Sequence, residues 1–165
     1  MWSRVGVCED WRCGERLWHA GLSPDGCRCF VADCDDNAFI VWDVLESKIL
    51  WKDDATGRDS PIESLHALMT ADGWAQLGAG PAAGRYRIFG FGHNYAKTSS
   101  SESDLKLDVR VREETLVIRR ISNDEIVCKL PFEAFSGDWA FASFSEDAST
   151  IAVVEPYYVT FFRRK

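Results

Sequence analysis

A hairpin-sized segment recurs three times along this chain, and it constrains the fold more than any other feature of the sequence. The segment 19-HAGLSPDGCRCFVA-32 aligns with 66-HALMTADGWAQLGA-79, and a third copy follows as 141-FASFSEDASTIAVV-154. Each copy places a short polar turn between two apolar stretches, and the Asp-Gly pair of the first two copies is typical of β-hairpin turns. The repeat therefore predicts three β-hairpins. Because Ala148 stands where the other copies have Gly, we expect the third turn to differ in type.

A second repeated unit extends the hairpins. The segment 39-FIVWDVLESKILWK-52 aligns with 116-LVIRRISNDEIVCK-129, and each reads as a strand, a polar turn and a second strand that ends in Lys. Shorter counterparts, 84–92 and 157–165, follow the second and third hairpins. Strands are also predicted by their β-branched and aromatic content at 38–44, 74–79, 85–91, 105–111, 115–121, 151–155 and 157–162. The sequence thus predicts an all-β protein.

One segment, 60-SPIESLHALM-69, can be read in two ways. Ser60 as a cap, Pro61 in the first turn and Glu63 three residues after the cap favour a helix. The alignment with the first hairpin instead makes the end of this segment the beginning of a strand. We expect the strand and keep the helix as the alternative, because short apolar runs fit both.

The first repeat resembles one blade of a WD-repeat β-propeller. Residues 22–26 stand where that family has Phe-Ser-Pro-Asp-Gly, Asp36 begins the counterpart of its Asp-Gly, and Trp42 and Asp43 match the pair that names it. The resemblance implies a single domain over 1–165. The well-matched blade is 17–52, the three diverged blades are 64–91, 104–130 and 139–162, and a flexible loop is expected at 92–104. The residues assigned to the repeat structure are Asp25, Gly26, Asp36, Trp42, Asp43, Asp72, Gly73 and Asp147.

The chain departs from this family in its size and in its hydrogen-bonding residues. WD blades take about 40–45 residues and closed propellers typically have 4–8 blades, whereas this chain has 165 residues. No Gly-His pair precedes a copy at the family's usual distance. We therefore expect a small, partial or irregular propeller of antiparallel hairpins, in which 2-WSRVGVC-8 pairs with the last strand and closes the domain. An open half-propeller that associates with a second copy is the alternative.

Charge and composition narrow the class of partner. The formal net charge is −7, which disfavours the phosphate backbone of nucleic acid and favours a protein with a basic surface. No apolar run approaches the roughly 18 residues that span a bilayer, and the charged segment 1–18 does not read as a signal peptide. Six cysteines without such a signal indicate free thiols and a cytoplasmic location.

Two motifs that suggest a metal site are better explained as local structure. Cys27 and Cys29 lie two apart in a predicted strand, and a zinc site would need Cys34 and His19 to converge on them. The run 33-DCDDN-37 opens like a calcium loop, but the Gly and Glu required at the sixth and twelfth positions are absent. We expect neither a metal nor a cofactor.

Aromatic residues in charged segments mark the expected partner surface, because such residues often anchor interfaces. The predicted partner-binding residues are Trp11, Trp51, Asp53, Asp54, His93 and Tyr95. We expect a non-catalytic protein-binding module that neutralises one basic partner, as an immunity-type protein does. The alternative is a small enzyme or ligand-binding domain with its site near the loop 92–104, which contains His93 and the serines 99–101.

Overall fold

Strands make up most of the regular structure in the computed structural model, which describes residues 1–8, 17–33, 38–54, 65, 67–78, 80–91, 95–135 and 137–165. They are β1 (Trp2–Cys8), β2 (Leu17–Leu22), β3 (Arg28–Asp33), β4 (Ala38–Asp43), β5 (Lys48–Asp54), β6 (Trp74–Leu77), β7 (Gly84–Gly90), β8 (Ser99–Ser100), β9 (Leu105–Arg110), β10 (Thr115–Arg120), β11 (Ile126–Pro131), β12 (Phe141–Phe144), β13 (Thr150–Val154) and β14 (Val159–Arg164). Single 3-10 turns occur at Gly80–Ala82 and Val111–Glu113. The predicted all-β class is confirmed. No helix in this part of the chain has the length and apolar character to cross a membrane.

The strands form three antiparallel sheets. The chain-end sheet has the order β1-β14-β13-β12, the middle sheet β11-β10-β9-β8, and the six-stranded sheet β5-β4-β3-β2-β7-β6. The predicted pairing of the two chain ends is confirmed, because β1 runs antiparallel to β14 from Trp2 opposite Arg164 to Cys8 opposite Val159. This pairing covers the edge of β14, whose backbone groups would otherwise lack ladder partners.

The first two repeats share one sheet instead of forming two separate blades. The strand β2 pairs with β3 along one edge and with β7 along the other. A two-stranded hairpin is only marginally stable alone, so the pairing of β7 with β2 supports the hairpin β6–β7 and removes an open edge. The expected blades at 17–52 and 64–91 therefore contribute to the six-stranded sheet, whereas 104–130 and 139–162 contribute to the other two sheets.

The three predicted hairpin turns are present, at 23–28 (first turn), 70–74 (second turn) and 145–150 (third turn). In the first and third turns the amide of the first residue donates to the carbonyl of the last, at 3.0 and 2.9 Å. In the second turn the corresponding bond, at 2.8 Å, spans one residue fewer. Ala148 has a φ of 53°, close to the 63° of Gly26. The prediction that the third turn differs from the first is wrong, and the second turn is the different one.

A shared hydrogen-bond pattern explains why the third turn keeps its shape without glycine. The Ser or Thr that opens each turn donates to the carboxylate two residues later, at 2.6, 2.5 and 2.6 Å for Asp25, Asp72 and Asp147. In the first and third turns the same carboxylate accepts the backbone N–H two residues further on, at 3.0 Å in each. These bonds offset the roughly 1 kcal/mol that a left-handed alanine costs.

One of the two outer strands of each sheet contains a register shift. The shifts leave Leu50 of β5, Val127 of β11 and Val5 of β1 without a paired residue. Leu50 and Val127 are aligned positions of the second repeated unit, so the irregularity repeats with the sequence. Bulges and edge lysines, here Lys52 and Lys129, disfavour the pairing of a sheet edge with another chain. This feature weighs against the self-associating half-propeller.

The chain-end sheet is buried on both faces. In β13, Ile151 and Val153 belong to the core against the middle sheet, whereas Ala152 and Val154 belong to the core against the six-stranded sheet. A third cluster covers the far face of the six-stranded sheet. Each large apolar side chain buried in these layers contributes about 1.5–3 kcal/mol, which makes layer packing the main source of stability.

The segment before the second turn follows the helical alternative over part of its length. Leu65, Ala67 and Leu68 have helical backbone, and Leu65 is fully buried. Pairing with the second strand begins only at an isolated bridge between Met69 and Ala75. Of the expected strand, only Met69 at its end pairs with the second strand. The described residues just before it are helical because this conformation buries Leu65 against the six-stranded sheet.

Candidate interaction surfaces

The first and third turns pack directly against each other and together form the turn junction. Asp147 N donates to Pro24 O at 3.3 Å, and a hydroxyl of the third turn donates to Asp25 O at 3.4 Å. Gly26 lies so close to Thr150 that an added Cβ would be 2.4 Å from the threonine Cβ. Both its positive φ and this close approach require glycine at position 26. The repeat residues therefore join the six-stranded sheet to the chain-end sheet.

The carboxylates of the turn junction are stabilised in their ionised form. Burial by itself would raise the pKa of Asp25, but hydrogen bonds from the turn's own hydroxyl and amide groups bring the pKa below its usual value. The same balance lowers the pKa of Asp147. Both carboxylates are therefore ionised at neutral pH, and the hydrogen bonds that they accept from hydroxyl and amide groups favour this form.

Tyr95, one of the predicted partner-binding residues, lies over the second turn. An added Cβ on Gly73 would be 2.1 Å from Tyr95 Cγ, so the ring is in direct contact with the turn backbone. Tyr95 N donates to Ile88 O at 3.2 Å, and 38% of the residue is exposed. Tyr95 thus packs on the second turn and still presents part of its surface to solvent.

An ion pair connects the second repeat to the third turn. Arg87 Nε lies 2.7 Å from Glu146 Oε1, and Lys97 Nζ donates to Glu146 O at 2.6 Å. The guanidinium carbons of Arg85 and Arg87 lie 4.4 and 4.6 Å from the centre of the Trp74 ring. Such contacts contribute roughly 0.5–2 kcal/mol each. Because Trp74 ends the second turn, all three turns are linked in one region.

The other predicted partner-binding residues are placed differently. Trp51 is half-buried in β5, where it packs against the core of the six-stranded sheet. Asp53 and Asp54 end the same strand. Trp51 is therefore less available for binding than its charged sequence context indicates. Trp11, Asp36 and His93 lie outside the described residues.

The Trp-Asp pair of the first repeat has a structural role. Trp42 is only 5% exposed and packs in the core between the six-stranded and chain-end sheets. Its Nε1 is buried and has no hydrogen-bond acceptor among the described residues. Asp43 Oδ1 accepts the amides of Leu45 and Glu46, both at 2.9 Å. Asp43 therefore closes the turn that leads into β5, while Trp42 fills the core.

The described part of the loop expected at 92–104 is bonded to two sheets. Lys97 N donates to Ser143 Oγ at 2.9 Å, and Phe144 N donates to Lys97 O at 2.9 Å. The next residues, Ser99–Ser100, form the short strand β8 beside β9. Two of the three serines considered for an enzymatic site therefore belong to the middle sheet.

The cysteine motif of the first hairpin is divided between core and surface. Cys29 is fully buried, and burial raises the pKa of its thiol. Cys27 is partly exposed, and its Sγ accepts a hydrogen bond from Arg163 Nη1 at 3.7 Å. In the described ranges no three His, Cys, Asp or Glu side chains are grouped closely enough to hold a metal ion. Cys34 lies outside those ranges.

An exposed aromatic cluster that was not predicted from the sequence includes Phe135, which lies in the connection between β11 and β12. Phe135 is 73% exposed, and its ring centre lies 5.2 Å from that of Tyr157 and 6.3 Å from that of Tyr158. These three residues are the Phe135 patch. Both ring pairs are nearly perpendicular, an arrangement that aromatic side chains favour. The tyrosines thus hold an exposed phenyl ring in a defined position.

The residues just before Phe135 attach its loop to the rest of the domain. Phe132 and Ala134 are buried, and Phe132 N donates to Glu114 O at 3.0 Å. Glu133, on the solvent side, has a side chain that is 67% exposed and lies 3.8 Å from Arg4. The sequence gives no periodic signal here, since the loop follows neither the strand nor the helix period. Only its phenylalanine content could have drawn attention to it.

Comparisons with known proteins do not assign a family. No family model matches the chain, and no curated protein matches it. Among solved structures, hydrazine synthase from Kuenenia stuttgartiensis matches 81% of this chain at 13% identity with a TM-score of 0.30. The match spans 27% of the hydrazine synthase chain. At this TM-score the likeness assigns neither a fold nor an activity.

Proposed function

We propose that this protein is a non-catalytic protein-binding module and that the Phe135 patch is part of its contact surface. The observation that carries the proposal is the 73% exposure of Phe135, directly after a stretch in which Phe132 and Ala134 are buried. A rigidly held, exposed aromatic ring loses little conformational entropy on binding, and such residues dominate interface energies. The sheets would present this patch in a small, irregular propeller-like arrangement.

The charge of the chain indicates the chemistry of the partner. The net charge is −7, and the exposed acidic residues Glu133 and Asp138 lie on either side of Phe135 in the sequence. Opposite charge accelerates the encounter of two proteins and favours a complementary surface. The proposed partner is therefore a protein with a basic surface, and the module acts on it as an immunity-type protein neutralises a single target.

Co-purification from the native cell with matched variants tests this proposal. Phe135→Ala removes the exposed ring, whereas Leu45→Ala removes another large exposed side chain, 52% exposed, in the turn before β5. We expect Phe135→Ala to weaken binding of the co-purified partner at least about tenfold and Leu45→Ala to leave it unchanged. Added salt should slow association. Equal binding by wild type and Phe135→Ala would remove the patch from the proposal, and insensitivity to salt would remove the basic partner.

A further inference from the structure

A cleft of about 410 Å³ opens between the chain-end sheet and the middle sheet. Its lining includes the apolar residues Trp2, Leu105 and Val127 and the cationic residues Arg120 and Arg164. The volume lies within the roughly 300–1,000 Å³ of typical small-molecule sites. The cleft therefore combines an apolar wall with two guanidinium groups, in a chain whose overall charge is negative.

The strand registers explain why both arginines face this cleft. Arg164 lies opposite Trp2 in the β14–β1 pair, and Arg120 lies opposite Leu105 in the β10–β9 pair. Side chains of directly paired residues lie on the same face of a sheet. Trp2 and Leu105 belong to the core between the two sheets. Each arginine therefore lies on the core-facing side of its sheet, beside a buried apolar residue, at the place where the core opens to solvent.

The two arginines differ in their acidic partners. Arg120 Nε lies 3.4 Å from Glu125 Oε2, and its Nη1 lies 3.9 Å from Asp104 Oδ2. Asp104 is itself held by Ser122, whose amide and hydroxyl donate to it at 2.9 and 2.6 Å. No carboxylate of the described residues forms an ion pair with Arg164. One wall of the cleft thus carries a positive charge that an external anion can compensate.

We propose that this cleft binds a small anion with an apolar part, such as an aromatic or aliphatic phosphate or carboxylate. The guanidinium groups of Arg120 and Arg164 bind the oxyanion from opposite sheets, because the planar guanidinium donates paired hydrogen bonds to such oxygens. The apolar part of the ligand packs against Trp2 and Val127. This site is separate from the Phe135 patch and goes beyond the proposed protein-binding function.

The Cys128 thiol also lines the cleft and does not oppose anion binding. Burial raises its pKa, and the positive charge of the nearby amino terminus lowers it in part. The thiol is therefore protonated and neutral at physiological pH. The arginines therefore meet the ligand without a competing negative charge from this thiol.

Titration with phenyl phosphate, followed by NMR at the indole N–H of Trp2, tests the proposed site. We expect a saturable shift of this signal, a weaker response to inorganic phosphate and no response to benzyl alcohol, which lacks the charge. A parallel titration with benzoate separates carboxylate from phosphate recognition, and saturable binding of either supports the site. Absence of a saturable shift with both aromatic anions would overturn it. Equal affinity for inorganic and phenyl phosphate would overturn the role of the apolar wall.

Arginine variants distinguish binding in the cleft from nonspecific attraction of anions to any exposed arginine of the protein. We expect Arg164→Gln and Arg120→Gln each to weaken phenyl phosphate binding at least about tenfold. Arg112→Gln is the control, because Arg112 is exposed and does not line the cleft. An unchanged melting temperature shows that Arg164→Gln is folded. Wild-type affinity in both cleft variants would overturn the proposal, whereas wild-type affinity in Phe135→Ala supports the independence of the two sites.

Discussion

The turn junction and the Phe135 patch use the same chain in opposite ways. The junction consists of residues that recur along the sequence, and its Gly26 is buried against the opposing turn. The patch consists of Phe135, Tyr157 and Tyr158, which belong to no repeated turn, and its central ring is largely exposed. A repeated motif is retained where the same local geometry must form several times. A binding surface needs only to be formed once.

This contrast separates stability from function at the level of individual residues. Substitutions in the turn junction should reduce the free energy of unfolding, because they remove contacts between two sheets. Substitutions in the Phe135 patch should leave that free energy almost unchanged and affect binding. The two regions can therefore be compared by measuring both quantities on each variant.

The largest expected effect is that of Gly26→Ala. The substitution places a Cβ 2.4 Å from Thr150 Cβ at a residue whose φ is +63°. We expect the free energy of unfolding to fall by about 3 kcal/mol, from left-handed strain together with overpacking. Gly137→Ala is the matched control, since Gly137 has a φ of +65° and no heavy atom within 4 Å of the added Cβ. It should lose only about 1 kcal/mol, and equal losses in urea unfolding would contradict the packing described for the junction.

Removal of a turn carboxylate should have a smaller effect. Asp25→Ala and Asp147→Ala each remove an acceptor of two hydrogen bonds, and we expect each to lower the free energy of unfolding by about 1 kcal/mol. Asp72→Ala should cost less, because its turn is shorter and its carboxylate lacks the second amide donor. Chemical denaturation of the three variants gives the comparison, and an equal or larger loss for Asp72→Ala would show that the junction adds nothing to these bonds.

The same carboxylates should make the protein sensitive to acid. The pKa values of Asp25 and Asp147 are below the usual 3.8 in the folded state. Their contribution to stability is therefore fully present above the unfolded-state pKa and is lost as the pH falls through the lower folded-state values. The double variant Asp25→Asn, Asp147→Asn should show a shallower loss of stability below about pH 4. A thermal denaturation series that gave parallel slopes for both proteins would contradict this origin.

The smallest effect on stability is expected at the Phe135 patch. Because Phe135 is 73% exposed, Phe135→Ala should change the free energy of unfolding by no more than about 0.5 kcal/mol. Calorimetry of the purified variant measures this directly. A loss as large as that of Gly26→Ala would mean that the ring is a structural element, and the contrast between the two regions would fail.

Local patterns in the sequence were sufficient to predict most of the strands and the positions of the hairpin turns, whereas the pairing of β1 with β14 was expected from the strand count of a propeller blade. Alternating apolar residues and turn chemistry act over a few residues and are visible without a structure. The union of the first two repeats in one sheet was not predictable, because pairing of β2 with β7 depends on which edge remains open in three dimensions. The form of the third turn was mispredicted because the Ser and Asp of that turn supply the same hydrogen bonds as in the first turn, and these bonds keep Ala148 at positive φ without glycine.

The candidate surfaces were less accessible to sequence reasoning. Trp51 has charged neighbours in the sequence but packs against a core, whereas Phe135 follows the buried residues Phe132 and Ala134 and is exposed. Composition around a residue does not determine its burial when the segment lacks a regular period. The cleft between Arg120 and Arg164 could not be found at all, since these residues meet only when the chain-end and middle sheets pack together.

Site-specific photo-crosslinking in the native cell tests the central claim most directly. A benzophenone amino acid replaces Phe135 in one variant and Leu45 in a control, and both variants are irradiated under the same conditions. A single crosslinked partner with a basic surface, obtained at position 135 and not at position 45, is the expected result. A crosslink confined to position 45, or the same set of products at both positions, would contradict the assignment of the Phe135 patch as the binding surface.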